Sequence, residues 1–309
     1  MSHLYVSSSP HIRSGATTTS IMRDVLIALS PAAIASVVLF GLKALLMIAI
    51  CVVSAVGSEF LFNLITKKKQ TIGDLSAAVT GLLLALTLPA KTGIWECIVG
   101  SVFAVIVVKC LFGGLGCNFA NPAITARVLL LASFGGSVLG GTMPGTDLVA
   151  SATPLEIIKT AEGTLPSLVD MLLGMRGGAV GETCILALLI GYVYLVLRRV
   201  IKWETPLIFI GTVFVLALII KGDLNVALYE VLGGGLVLGA VFMATDYVTS
   251  PINRLGKMVF ALGCGILTVI FRFYSSMPEG VSYAILIMNI LSPYIEKLCM
   301  QKPLGKAAK

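Results

Sequence analysis

Apolar residues gather in ten blocks, at about 25–42, 44–65, 75–90, 93–112, 122–136, 183–200, 205–221, 225–243, 256–273 and 282–299. A membrane span needs about twenty such residues, and fewer where the helix is broken inside protein. The third and fifth blocks are short. The eighth contains Gly233-Gly234-Gly235 and the fifth opens with Asn121-Pro122, both patterns that interrupt a helix. The pattern predicts an all-α integral membrane protein with about ten transmembrane helices. Five blocks precede the one long polar interval and five follow it. If the two sets are related, an odd number of crossings makes them inverted repeats, and such repeats place binding sites near the bilayer midplane. The chain then divides into a polar segment 1–24, a first five-helix repeat 25–136, a loop 137–181, a second repeat 182–300 and a basic tail 301–309.

Composition agrees with this reading. The chain is 57% hydrophobic and 12% charged, with mean hydropathy +1.01; a soluble domain carries about twice that charge. The net charge of +7 comes without aromatic-basic interleaving, so it points to a membrane face and not to nucleic acid. The first two dozen residues are polar, so no cleavable signal peptide is expected.

With the N-terminus inside, the inner segments collect Arg13, Arg23, Lys67, Lys68, Lys69, Lys109, Arg127, Arg198, Arg199, Lys202, Arg254, Lys257 and the tail from Lys297 to Lys309. The outer ones receive Lys43, Lys91, Lys159, Arg176, Lys221 and Arg272. That asymmetry predicts two cytoplasmic termini and an external 137–181 loop. The seven cysteines form no CxxC and have no histidine at metal spacing, which reads as reduced, buried thiols.

Candidate chemistry lies in the long loop and at span ends. Asp147-Leu148-Val149-Ala150-Ser151-Ala152-Thr153-Pro154 surrounds one hydroxyl with small neighbours, a form open to a modifying enzyme or a large planar ligand. The same residues also read as a Ser/Thr-Pro turn or helix cap. Carboxylates within spans are costly and so conspicuous. Glu59 lies inside the second span, Asp74 opens the third, Glu230 lies in the eighth and Asp246 closes it. Asp74 and Asp246 read either as ligands of a coupling cation or as caps of broken helices. Glu59, without a cation near it in sequence, calls for a partner on another helix or subunit, and Glu230 suits an outer crevice.

Six segments in order, at 8–25, 73–90, 112–128, 178–183, 242–251 and 277–297, carry a resemblance. Among them are GDLSAAVTGLLLALTLPA, FGGLGCNFANPAITARV and FMATDYVTSP. Together they resemble the family of the D subunit of the Rnf ferredoxin:NAD+ oxidoreductase, paralogous to the B subunit of the sodium-pumping NADH:quinone oxidoreductase. The short N-terminus favours the Rnf branch.

The resemblance implies a urea-transporter-like inverted repeat in the bacterial cytoplasmic membrane. It also implies FMN joined by a phosphoester to Thr153, in a pattern Asp-x-x-Ser/Thr-Gly-Ala-Thr. Asp147, Ala152 and Thr153 match that pattern; Ala150 and Ser151 replace its hydroxyl residue and glycine with small residues. For the phosphate, Gly181-Glu182-Thr183, at the start of the sixth span, offers helix N-terminal N–H groups, and Arg176 is the nearest cation in sequence to that turn. The plain reading there is a glycine-rich helix entry with a threonine cap. A second, non-covalent flavin, riboflavin, is implied within the bundle, where Gly113-Gly114 and Asn121-Pro122-Ala123 break helices and Asn289 is a polar candidate.

Implied partners are the A, B, C, E and G types of Rnf subunit, the G-type flavin subunit above all, with membrane lipid and a flavin transferase for maturation. Electrons would pass from reduced ferredoxin by way of the G-type subunit to Thr153 and on to NAD+, coupled to Na+ or H+ export. Such a chain would have no turnover alone. The rival reading is a solute channel or transporter on the same fold, since fold does not fix function.

Overall fold

The computed structural model describes residues 15–145, 150–160, 164–275 and 279–300. Helix occurs at each of the ten predicted blocks. Helix α1 (Thr18–Phe40) starts seven residues before the predicted boundary, because Thr17 and Ser20 close a capping box ahead of the apolar run. Gly41, at φ 68°, turns the chain into α2 (Leu42–Ile65). Then come α3 (Ser76–Thr87) and α4 (Ile94–Val102), the latter continuing as a π-helix over Phe103–Cys110. Helix α5 (Pro122–Ser133) begins at an Asn121 cap with proline in its first turn.

The interval expected as a loop is partly helical. It holds α6 (Gly135–Val138), α7 (Pro154–Thr160) and α8 (Leu168–Leu173). The second half follows as α9 (Ile185–Leu197), α10 (Glu204–Lys221), α11 (Leu224–Leu232), α12 (Leu236–Leu238) with a π-turn to Met243, α13 (Arg254–Tyr274) and α14 (Val281–Leu298). The one ladder among the described residues joins Gly141–Thr142 to Ala150–Ser151, antiparallel.

Four helices, α1, α2, α10 and α13, are long and apolar enough to cross a membrane alone; α11 and α12 pass together as one span bent by 59°. Twelve-residue α3 and α5 extend about 18 Å each at 1.5 Å per residue, well short of a bilayer core. They lie inside: every residue of α3 except Ala78 is buried. Long helices instead expose Ile34, Val38, Val53, Ile65 and Ile219, an apolar exterior suited to lipid. Helix α2 packs on α3 and α4, and α10 on α11 and α13, while α1 meets α9 and α5 meets α14.

Four cations assigned above to loops are interior. Lys109, Arg127, Arg176 and Arg272 are each at most 5% exposed, because each is consumed by a carboxylate or by backbone carbonyls described below. They do not belong in a count of loop charges.

Close packing of α3 on α2 depends on Gly81. A Cβ there would stand 2.6 Å from the Cys51 carbonyl oxygen and 2.9 Å from Val52 Cα, both backbone. Gly81→Val is therefore expected to destabilise the folded protein by about 1–3 kcal/mol or more, read as a lower melting temperature of the detergent-purified chain; an unchanged Tm would show that the helices part without cost.

Candidate functional site

Thr153 is not the open loop hydroxyl that its small neighbours suggest. It is 2% exposed. Its Oγ1 accepts from Glu156 N at 3.3 Å, and Glu156 Oε2 accepts from Thr153 N at 2.7 Å, a reciprocal cap on α7. The residues before it are pinned as well. Thr142 is paired on one side with Ala150 and on the other bridges Gly178, and a Cβ at Gly177 would overlap Ser151 Oγ. Ser151 Oγ is buried with no hydrogen-bond partner among the described residues. Ala152 follows it as the link to Thr153. Asp147 lies outside the described residues.

The phosphate ligands proposed from sequence are already engaged. Arg176 donates from Nη2 to the Glu182 carbonyl at 2.7 Å and from Nε to the Thr183 carbonyl at 3.4 Å. The guanidinium thus braces the turn ahead of α9, and burial lowers its pKa. Val180 N and Gly181 N donate to Leu88 and Leu86 carbonyls, and Glu182 N to that of Ala179. These N–H groups satisfy the C-terminal end of short α3 and the turn itself, so they form no phosphate cradle. Helix α9 starts only at Ile185, and Thr183 is fully buried.

The carboxylates also find partners. Glu59 receives Lys109 Nζ at 2.9 Å on both oxygens and the Thr71 hydroxyl at 2.6 Å. Lys109 also donates to Ser76 Oγ. The π-helix turns Lys109 inward from a segment whose charge suggested a loop. Asp74 accepts from Ser76 N at 2.8 Å and from its hydroxyl, capping α3 after left-handed Leu75. Asp246 accepts from Val248 N and Thr249 Oγ1. Glu230 is 3% exposed, paired with Arg272 at 3.0 Å, and lines a crevice with Leu155, Lys159, Lys221 and Phe273. Asn289 is buried with neither amide atom bonded among the described residues.

Two further features complete the interior. One is a cavity of about 780 Å³ at the starts of α3 and α5, lined by Ser76, Thr80, Lys109, Asn118, Asn121 and Asp246 among apolar residues of α1, α3 and the π-turn before Ala244. Asn118 Oδ1 is buried there without a partner among the described residues. The cavity borders the Asn121-Pro122 break, where the resemblance implies a ligand within the bundle. The other is a set of buried arginines at helix breaks. Arg127 donates to the Thr87 carbonyl and to Glu279, and Arg272 to the Glu230 and Gly233 carbonyls.

Removing one member of a buried ion pair leaves an unpaired charge, at a cost of about 3–5 kcal/mol. Lys109→Met should lower stability on that scale, and adding Glu59→Gln should recover a substantial part. The check is a double-mutant cycle of thermal unfolding in detergent; additive losses would mean that the two side chains are not coupled.

The family model described as "NQR2, RnfD, RnfE family" matches residues 5–305. The D subunit of the Na+-translocating ferredoxin:NAD+ oxidoreductase complex of Acetobacterium woodii is 46% identical over 307 residues, covering 98% of this chain and 96% of the relative. The D subunit of the proton-translocating ferredoxin:NAD+ oxidoreductase complex of Clostridium ljungdahlii is 38% identical, with 97% and 96% covered. Its counterpart in the ion-translocating oxidoreductase complex of Methanosarcina acetivorans is 34% identical, with 100% and 99% covered. On a match that runs almost from end to end, the chain belongs to the NQR2, RnfD, RnfE family.

Proposed function

We propose that this chain is the membrane-embedded, flavin-carrying D subunit of an ion-translocating ferredoxin:NAD+ oxidoreductase, working only with the other subunits of the complex. The observation that carries this reading is the end-to-end similarity to the D subunits of such complexes. Their function comes to this chain through that similarity.

The packing supports an inverted repeat. Counterparts across the halves, α1 with α9 and α5 with α14, are in contact, as a two-fold axis between repeats requires. Each half also carries a buried cation near the end of its fourth span, Lys109 with Glu59 and Arg272 with Glu230.

Thr153 is the residue proposed to carry FMN. Among the described residues its oxygen only accepts, through one long contact from Glu156 N, and a phosphoester oxygen can keep that acceptor role. Its burial means that attachment precedes the packing of α7 or requires α7 to lift. The second flavin suits the cavity between α1, α3 and α5, where mainly apolar walls carry a few convergent polar groups. Among these, Asn118 Oδ1 is an acceptor without a donor among the described residues. A flavin in either place supplies one-electron transfer; the protein holds it and excludes water. Among the ion-coupling candidates, Lys109 neutralises Glu59 and Asp74 is taken up in capping α3. Asp246 is likewise engaged, by Val248 N and Thr249 Oγ1, but it also lines the cavity, and we assign it the link between ion and electron movement.

Proteolysis and peptide mass should find FMN mass on the Thr153 peptide of the active complex, lost in Thr153→Ala and partly kept in Thr153→Ser. An unmodified peptide from active complex would refute the assignment. The alanine variant also loses a cap, which costs about 0.5–2 kcal/mol, so assembly is checked by size exclusion.

Asn118→Leu should reduce flavin released on denaturation while in-gel fluorescence of covalent flavin persists. Unchanged release would place the second flavin elsewhere.

A further inference from the structure

The break in the eighth span gathers charges that the reading above leaves without a role. Gly233, Gly234 and Gly235 separate α11 from α12. A Cβ on Gly235 would lie 3.1 Å from Glu182 Oε2, and one on Gly234 would lie 3.1 Å from Arg272 Nη2 and 3.8 Å from Glu279 Cγ. Three charged side chains, from the turn before α9, from α13 and from the turn before α14, thus converge on one glycine hinge.

Glu182 is 2% exposed. Its Oε1 accepts from Ala179 N at 3.0 Å, while Oε2 has no partner among the described residues. Glu279 pairs with Arg127 and, with Thr87, Gly235 and Ser282, lines a cavity of about 320 Å³. A buried carboxylate oxygen lacking a donor is unstable as an anion, and two carboxylates around one break oppose each other's ionisation.

We propose that Glu279 is a proton-binding carboxyl at the break between α11 and α12, and that Glu182, reaching the same three glycines, raises its proton affinity through its charge. Every packed element contributes a charge. Arg127 of α5 and Arg272 of α13 favour ionisation, though Arg272 is shared with Glu230 of α11. Glu156 of α7 opposes it, and Arg176 is tied to the carbonyls of Glu182 and Thr183. Burial first, then the charge of Glu182, pushes the Glu279 carboxyl up to about 7 against the two arginines. Below that pH Glu279 holds its proton, and as pH rises through it the proton leaves.

One consequence rests on the flavin reading. Leu155, two residues after Thr153, packs on Gly233 and Gly234, and Glu156 caps the Thr153 backbone. Negative charge arriving on a group at Thr153 would raise the proton affinity of Glu279. The carboxyl site itself stands without that reading.

The test is a pH-difference infrared titration of the whole purified complex, following the C=O stretch of protonated carboxyl groups from about pH 5 to 8.5. Wild type should lose a band as pH passes about 7. Glu279→Gln should remove that band. Glu182→Gln should keep it but shift its midpoint down by about one unit, a tenfold loss of proton affinity. No titrating band in wild type, or a band unmoved by both substitutions, overturns the assignment. Should Glu279→Gln fail to assemble, the wild-type titration and the Glu182→Gln midpoint decide. Peptide mass at Thr153 is read on the same samples, so a missing flavin counts against the electron-carrier reading and not against Glu279.

Discussion

A helix that stops inside a membrane leaves backbone carbonyls and N–H groups that lipid cannot satisfy, and each unsatisfied group costs several kcal/mol. This chain breaks its helices repeatedly, and buried charges meet much of the resulting demand. Arg127 takes the Thr87 carbonyl at the end of α3; Arg272 takes those of Glu230 and Gly233 at the end of α11; Arg176 takes those of Glu182 and Thr183 ahead of α9. Each cation then needs a counter-charge, and Glu279 and Glu230 supply two of them. At the start of α3 the arrangement is carried by side chains: Asp74 caps the helix, and Lys109 joins Ser76 to Glu59.

This constraint also sets where chemistry is possible. A short interior helix leaves space beyond its end, and the cavity beside Asn118 and Asn121 lies at the starts of α3 and α5. The break after α11 creates the second region, with Leu155 of the Thr153-bearing segment seated on its glycines. Side-chain bulk at Gly233 or Gly234 would push α7 away, so the segment before α7 and the eighth span are mechanically linked. Thr153 therefore sits on the folded core and not on a free tether.

Much of the fold was legible from periodicity and composition, because a hydrocarbon solvent leaves few solutions for long apolar runs. Asn121-Pro122 and the three glycines announced two breaks, since proline and glycine act through the local backbone. Glu59 was marked as needing a partner because a lone carboxylate within a span is costly. The identity of that partner was hidden: Lys109 lies fifty residues away, on a segment that widens into a π-helix.

What the sequence by itself determined is local: the helical segments, their caps and breaks, the family, and the threonine with small neighbours. Tertiary structure decided the pairings and the burial. It moved Lys109, Arg127, Arg176 and Arg272 from expected loops to the interior. It committed Arg176 and the N–H groups of Val180, Gly181 and Glu182 to backbone carbonyls, made Thr153 a buried cap, and set Glu182 and Glu279 against neighbouring glycines of one break. The reason is physical. Helix formation and chain reversal are governed by neighbours within a few residues, whereas the cost of a buried charge is relieved only by what the fold places within about 4 Å of it.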